Sequence, residues 1–219
     1  MLAFVGGYVN VGGFLCVHRF VSHVTGFAGF FALELIQANW TNAALALAVP
    51  IFFLLGSFLT GITTEVRRSR EQIPIYVGVM SVIGFVYFLL GTLGANDWIG
   101  KFGEPTESLR DYIILASLCF AMGAQNALFT SYSGAVVRTT HLTGLTTDLG
   151  IGMARQLLNR DQSETAKNGI RLGLILSFLL GSVVAAFYFT SYGFEAFFTA
   201  GILEVGVGID LYISRSKLS

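Results

Sequence analysis

Charge is what this sequence has least of. Asp, Glu, Lys and Arg together make up 12% of its 219 residues while 54% are hydrophobic, against roughly a quarter charged in soluble domains. That shortage excludes an ordinary water-soluble globule and points to an all-α, polytopic membrane protein. Cysteine is nearly absent as well. Cys16 and Cys119 lie in apolar runs without Cys, His or Asp neighbours at ligand spacing, so neither a disulfide framework nor a metal site has support, and no cofactor is expected. The formal net charge is zero and no basic cluster alternates with aromatics, which leaves nucleic acid without an electrostatic footprint. HExxH, GxSxG and paired carboxylates at helical spacing are all missing, so the chain is not expected to be an enzyme.

What is present is long uncharged apolar sequence. Residues 43–64, 74–96, 112–137 and 172–194 contain no Asp, Glu, Lys or Arg, and each is long enough for a helix that must cover about 20 residues to cross a hydrocarbon core. Residues 1–17 are apolar, with neither the basic start nor the small-residue cleavage site of a signal peptide, and are expected to be a first membrane segment. Residues 192–213 are apolar but carry Glu195, Glu204 and Asp210, and the stretches 24–38 and 142–158 are short.

Three landmarks occur twice in the same order. Gly7-x-x-Asn10 matches Gly123-x-x-Asn126, His23-x-Thr25-Gly26 matches His141-x-Thr143-Gly144, and Leu54-Leu55-Gly56-Ser57 matches Leu179-Leu180-Gly181-Ser182. The chain therefore divides into a first membrane repeat (1–96), an extracytoplasmic linker (97–111), a second membrane repeat (112–213) and a cytoplasmic tail (214–219). An odd number of crossings per repeat inverts the two copies, and an even number leaves them parallel. If both short stretches enter the bilayer without crossing it, Arg67, Arg68, Arg70, Arg155, Arg160, Lys167, Arg171, Arg215 and Lys217 share one side against Lys101 and Arg110 on the other. That distribution obeys the positive-inside rule. It favours six net crossings in two inverted three-crossing repeats with broken or re-entrant elements, and both termini in the cytoplasm. Eight helices in two parallel four-helix halves is the alternative.

One packing device is legible. Gly169, Gly173, Ser177, Gly181 and Ala185 recur every fourth residue, and small residues at that spacing let helix backbones approach closely in lipid.

The chemistry concentrates in the paired His-x-Thr-Gly elements. An ionised side chain at membrane depth costs on the order of 2.5–3.5 kcal/mol on insertion scales, so Arg138, His141 and Asp148 should face protein or water. Thr is a good helix N-cap, and Gly beside it permits an abrupt turn. Thr25-Gly26 and Thr143-Gly144 are thus expected to open short helices within the membrane. Such helix starts present free N–H groups and partial positive charge. With Arg19, His23, Arg138 and His141 nearby, they would form a binding site for an anionic or carboxylate-bearing solute, with Asn10 and Asn126 as further contacts. The competing structural reading pairs Arg19 with Glu34 and Arg138 with Asp148. Glu34, Asp148 and Glu204 are candidates for proton coupling. The expected partners are a small solute and the lipid bilayer, with room for a homo-oligomer. A secondary transporter working by alternating access is the leading expectation. A channel, or a membrane binding or sensor protein without transport, is the alternative, and an intramembrane enzyme ranks below both.

The segments GGYVNVGGF, MGAQNA and, most specifically, RTTHLTGLTTDLG give the chain a resemblance to the YoaK-like family of bacterial inner-membrane proteins (domain of unknown function 1275). The resemblance implies a multi-helix fold in the bacterial inner membrane and supplies no substrate. This chain departs from the family's common pattern at Asn10, where Asp is usual, and at Phe27, where Asn is usual.

Overall fold

The structure is a computed structural model that describes residues 1–70, 72, 76–104, 109–132, 142–159 and 162–216. Every regular element among them is helical: α1 (Leu2–Val17), α2 (Val24–Ile36), α3 (Trp40–Ser69), α4 (Tyr76–Ala95), α5 (Leu109–Tyr132), α6 (Leu142–Asn159), α7 (Gln162–Tyr192) and α8 (Ala196–Ser216). A 3-10 turn, Gly193–Glu195, joins the last two. Four helical stretches are long and apolar enough to cross a membrane: Trp40–Ser69, Tyr76–Ala95, Leu109–Ser131 and the 51-residue run Ser163–Ile213. That last run is two helices, because Gly193 adopts a positive φ of 53° that only glycine takes without strain, and the 3-10 turn it opens interrupts the helix there. The charge-free runs of the sequence thus appear as α3, α4, α5 and α7, and the carboxylate-bearing segment near the C-terminus appears as the turn and α8.

Helix ends follow local chemistry. Asn39 caps α3 by accepting a hydrogen bond from the Asn42 amide at 3.3 Å, and Arg67 and Arg68 stand in its last turn, where cations complement the helix dipole. α1 stops at a left-handed His18 (φ 52°), whose amide donates to the Phe14 carbonyl.

The helices pair as α1 with α7, α3 with α5 and α4 with α8, while α2 lies on α3 and α6 on α7. The first two pairings are backbone-to-backbone. A Cβ on Gly7 would strike the Phe178 carbonyl, one on Gly181 the Phe4 carbonyl, one on Gly123 the Phe53 carbonyl and one on Gly56 the Phe120 carbonyl. The matching serines seal these crossings: Ser57 Oγ donates to Gly123 O at 3.0 Å and Ser182 Oγ to Gly7 O at 3.4 Å. These are the small-residue contacts that substitute for a hydrophobic drive in lipid.

The small-residue stripe of α7 does less than its spacing predicts. Gly181 and the fully buried Ala185 pack, but a Cβ on Gly169 or Gly173 would meet open space. The reason is reach. α7 meets α1 at Phe178, Gly181, Ser182 and Phe189, whereas its first turns lie beside α6, where Gly152 leaves room for Asn168 and Arg171. There the buried Glu164 accepts from Lys167 at 2.8 Å and Arg171 at 3.1 Å.

The core runs through α1, α4, α5, α7 and α8, with Tyr8, Tyr87, Phe189 and Phe197 among its fully buried side chains. The linker joins one end of it: Phe102 stacks on Phe189 and meets Phe194 edge-on at 5.3 Å, and His18 Nε2 lies 3.2 Å from the Gly103 carbonyl.

Candidate functional site

The segment after α1 doubles back along it. Ser22 donates from both its amide (3.1 Å) and its hydroxyl (2.9 Å) to Asn10 Oδ1, some two turns up from the end of α1. Val21, fully buried, fills the space that Gly13 leaves, and its carbonyl accepts from Cys119 Sγ at 3.2 Å. α2 therefore starts alongside the middle of α1, not at its end.

This placement opens a cavity of about 560 Å³, lined by Asn10, Phe20, Ser22, His23, Val24, Thr25, Phe53, Leu142, Thr143, Gly144 and Phe178. Its size falls within the range of small-molecule sites, roughly 300–1,000 Å³. The first residues of α2, Val24 and Thr25, and the first described residues of α6, Leu142 to Gly144, both stand in its wall, so the N–H groups that a helix start leaves unpaired lie beside this space at α2. Three pairs of its residues occupy matched positions in the two halves: Val24 with Leu142, Thr25 with Thr143, and Phe53 with Phe178. His23, Thr25, Thr143 and Gly144 are exposed to it.

Some of the expected site residues stand elsewhere. Arg19 turns away from the cavity. Its guanidinium sits 4.2 Å above the Phe30 ring, a cation–π contact that compensates a cation for lost water, and it donates to the His18 carbonyl at 3.0 Å. It lines a separate narrow crevice together with Glu34, Asn42 and Tyr112. Arg19 and Glu34 share that crevice, but the ion pairs found among the described residues do not include them. Asn126 is buried on α5 and Asp148 is exposed on α6; neither is among the described lining residues. Arg138 and His141, and with them the Arg138–Asp148 pair, lie outside the described residues.

The first Thr-Gly corner also works differently from expectation. His23, not Thr25, holds the N-cap position of α2, and it makes no side-chain cap hydrogen bond. Gly26 is inside the helix, its amide donating to the His23 carbonyl at 3.0 Å. It keeps an ordinary negative φ. What it supplies is space: a Cβ there would stand 3.2 Å from His23 Nδ1. Gly144 adds open volume, with no described atom within 4 Å of a Cβ built on it.

Phe20, Ser22, Phe53 and Phe178 are lining residues that no motif singles out. Phe53 and Phe178 carried a signal, since each opens the repeated Phe-Leu-Leu-Gly; Ser22 carried none. Glu204 lies apart, fully buried on α8, with neither carboxyl oxygen hydrogen-bonded.

The fold and cavity define an all-helical protein with several helices suited to a bilayer and a chamber of mixed apolar and polar lining at the junction of two short helices. The chain belongs to the family described as Protein of unknown function (DUF1275), which matches residues 1–209. The YoaK-like resemblance carried by the quoted segments agrees with this. No curated protein and no solved structure matches the chain.

Proposed function

We propose that this protein is a secondary transporter of a small anionic or carboxylate-bearing solute in the bacterial inner membrane, working by alternating access between two inverted repeats. The observation that carries the reading is the single cavity walled by the start of α2 and the first described residues of α6 at matched positions. A helix start beside a chamber favours negative charge there, and two short helices meeting at one chamber is the arrangement discontinuous-helix transporters use at the junction of their repeats.

The helix contacts support inversion. Residues that follow one crossing and residues that follow three share a side of the membrane; residues that follow one and four do not. His18 follows α1 and Gly103 follows α4, and they touch. This parity fits an α2 that enters and returns, since its 13 residues span only about 20 Å. The crevice residues agree: Glu34 near the end of α2, Asn42 at the start of α3 and Tyr112 at the start of α5 meet Arg19 just beyond α1. The proposed arrangement has six crossings by α1, α3, α4, α5, α7 and α8, both termini cytoplasmic and the linker outside. The α1–α7 and α3–α5 crossings, built from matched glycines, are the two-fold equivalents of each other.

The test is ligand binding followed by flux. A panel of inorganic anions and small carboxylates is screened for thermal stabilisation of the purified protein, and hits are assayed for counterflow in proteoliposomes. A saturable counterflow with at least one stabilising anion is expected, and Arg138→Gln should abolish the stabilisation while the protein stays folded. Non-saturating conductance, or no response to any anion, overturns the proposal.

A further inference from the structure

Glu204 is the one carboxyl group among the described residues that the fold encloses completely and leaves without a partner: its relative exposure is 0% and both oxygens lack hydrogen bonds. A third buried acceptor, Gln125 Oε1 on α5, is also unsatisfied, while its Nε2 donates to the Leu2 carbonyl at 3.4 Å. Orphaned buried acceptors are rare, because each forfeits its water without return. An ionised carboxylate in such a place needs donors or a cation, and without them the neutral acid is the form that burial permits.

Among the described residues the surroundings supply no cation. α8 packs on α4, α1, the 3-10 turn and α7. α4 brings Tyr87, fully buried, whose hydroxyl meets Met122 Sδ at 3.6 Å, and Tyr76. α1 brings Tyr8, whose hydroxyl donates to the Ala196 carbonyl at 3.0 Å, and Cys16, with the Met1 terminus exposed. The turn brings Glu195, α7 brings Tyr188 and Tyr192, and α8 itself brings Asp210 and Tyr212. The charged groups of α7, Glu164, Lys167 and Arg171, are bonded to one another at its opposite end.

Position gives the orphan its meaning. One turn before Glu204, Gly201 meets Gly84 where α8 crosses α4: a Cβ on Gly84 would stand 2.8 Å from Val205 Cγ2, and one on Gly201 2.8 Å from Phe88 Cδ2. The contact is reciprocal, so Gly84 and Gly201 are equivalent about the crossing, and by the same register Tyr87 and Glu204 are too. α4 and α8 belong to different repeats, so any rocking of the halves passes through this crossing.

We propose that Glu204 is the proton site that couples solute movement to the proton gradient. The proposal rests on the carrier reading. The carboxyl takes a proton from water on one side when the α4–α8 crossing opens toward it, carries it as the neutral acid through the closed form, and returns it to water on the other side.

Two measurements on the full-length reconstituted protein decide this. Infrared spectroscopy of the wild type at neutral pH should show a protonated-carboxyl carbonyl band that Glu204→Gln removes. In proteoliposomes, Glu204→Gln should retain solute counterflow, which needs no net proton movement, and lose accumulation driven by a pH gradient. A one-unit gradient sustains about a tenfold accumulation per proton carried, and the variant should show none of it. Glu204→Gln that accumulates solute like the wild type, or a carboxyl band unaffected by the substitution, overturns the proposal. A wild type without counterflow overturns the carrier reading instead, and the infrared band then decides alone whether Glu204 holds a proton.

Discussion

Replacing Gly181 by Ala adds one methyl group against the Phe4 carbonyl of α1. That oxygen belongs to helix backbone, so the clash cannot be relieved by a rotamer change, and α1 must move off α7. Overpacking of this kind costs about 1–3 kcal/mol. Set against it is the helix preference for Ala over Gly, roughly 0.8–1 kcal/mol. The same gain without the clash is available on the same helix at Gly173, where nothing lies within 4 Å. The difference between Gly181→Ala and Gly173→Ala cancels the propensity term and isolates packing, at about 1–3 kcal/mol. Equilibrium unfolding of the two variants in the same mixed micelles measures it. If Gly181→Ala is as stable as Gly173→Ala, backbone contact between α1 and α7 is not what holds the halves together.

Three further outcomes follow from the same geometry. Gly144→Trp should fill the cavity and abolish ligand-induced stabilisation and counterflow, with little change in the stability of the unliganded protein, because its Cβ site is open. Asn10→Ala removes the acceptor of two Ser22 hydrogen bonds and should cost on the order of 1–3 kcal/mol, read by unfolding and by faster amide exchange over residues 19–23, whereas Asn10→Asp keeps an acceptor for both donors and should be milder. Cysteines placed at His18 and at Trp98, the latter 70% exposed, should both react with a membrane-impermeant maleimide from outside the cell, against a wild-type background kept silent by the burial of Cys16 and Cys119; labelling from opposite sides would refute the re-entrant α2.

The helices and their rough limits were legible because hydropathy and length are local properties of the chain, and α3, α4, α5 and α7 needed nothing else. The landmarks of the two halves were legible for the same reason. The stripe on α7 illustrates where such reading stops: spacing marks Gly173 and Gly181 alike, but which of them meets another helix depends on where α1 crosses. Arg19 is a sharper case. Its place beside a His-x-Thr-Gly element predicted a role in binding, yet the loop that Asn10 and Val21 fix against α1 turns it onto Phe30 instead.

From sequence alone the membrane-helix class, the doubled landmarks and the attention due to Thr25, Thr143 and Glu204 could be read, since each depends on residue type and near neighbours. The tertiary structure decided that Thr25 and Thr143 border one chamber, and that Glu204 has no partner. Both depend on segments more than 100 residues apart coming together, and close helix packing, not local propensity, sets that geometry.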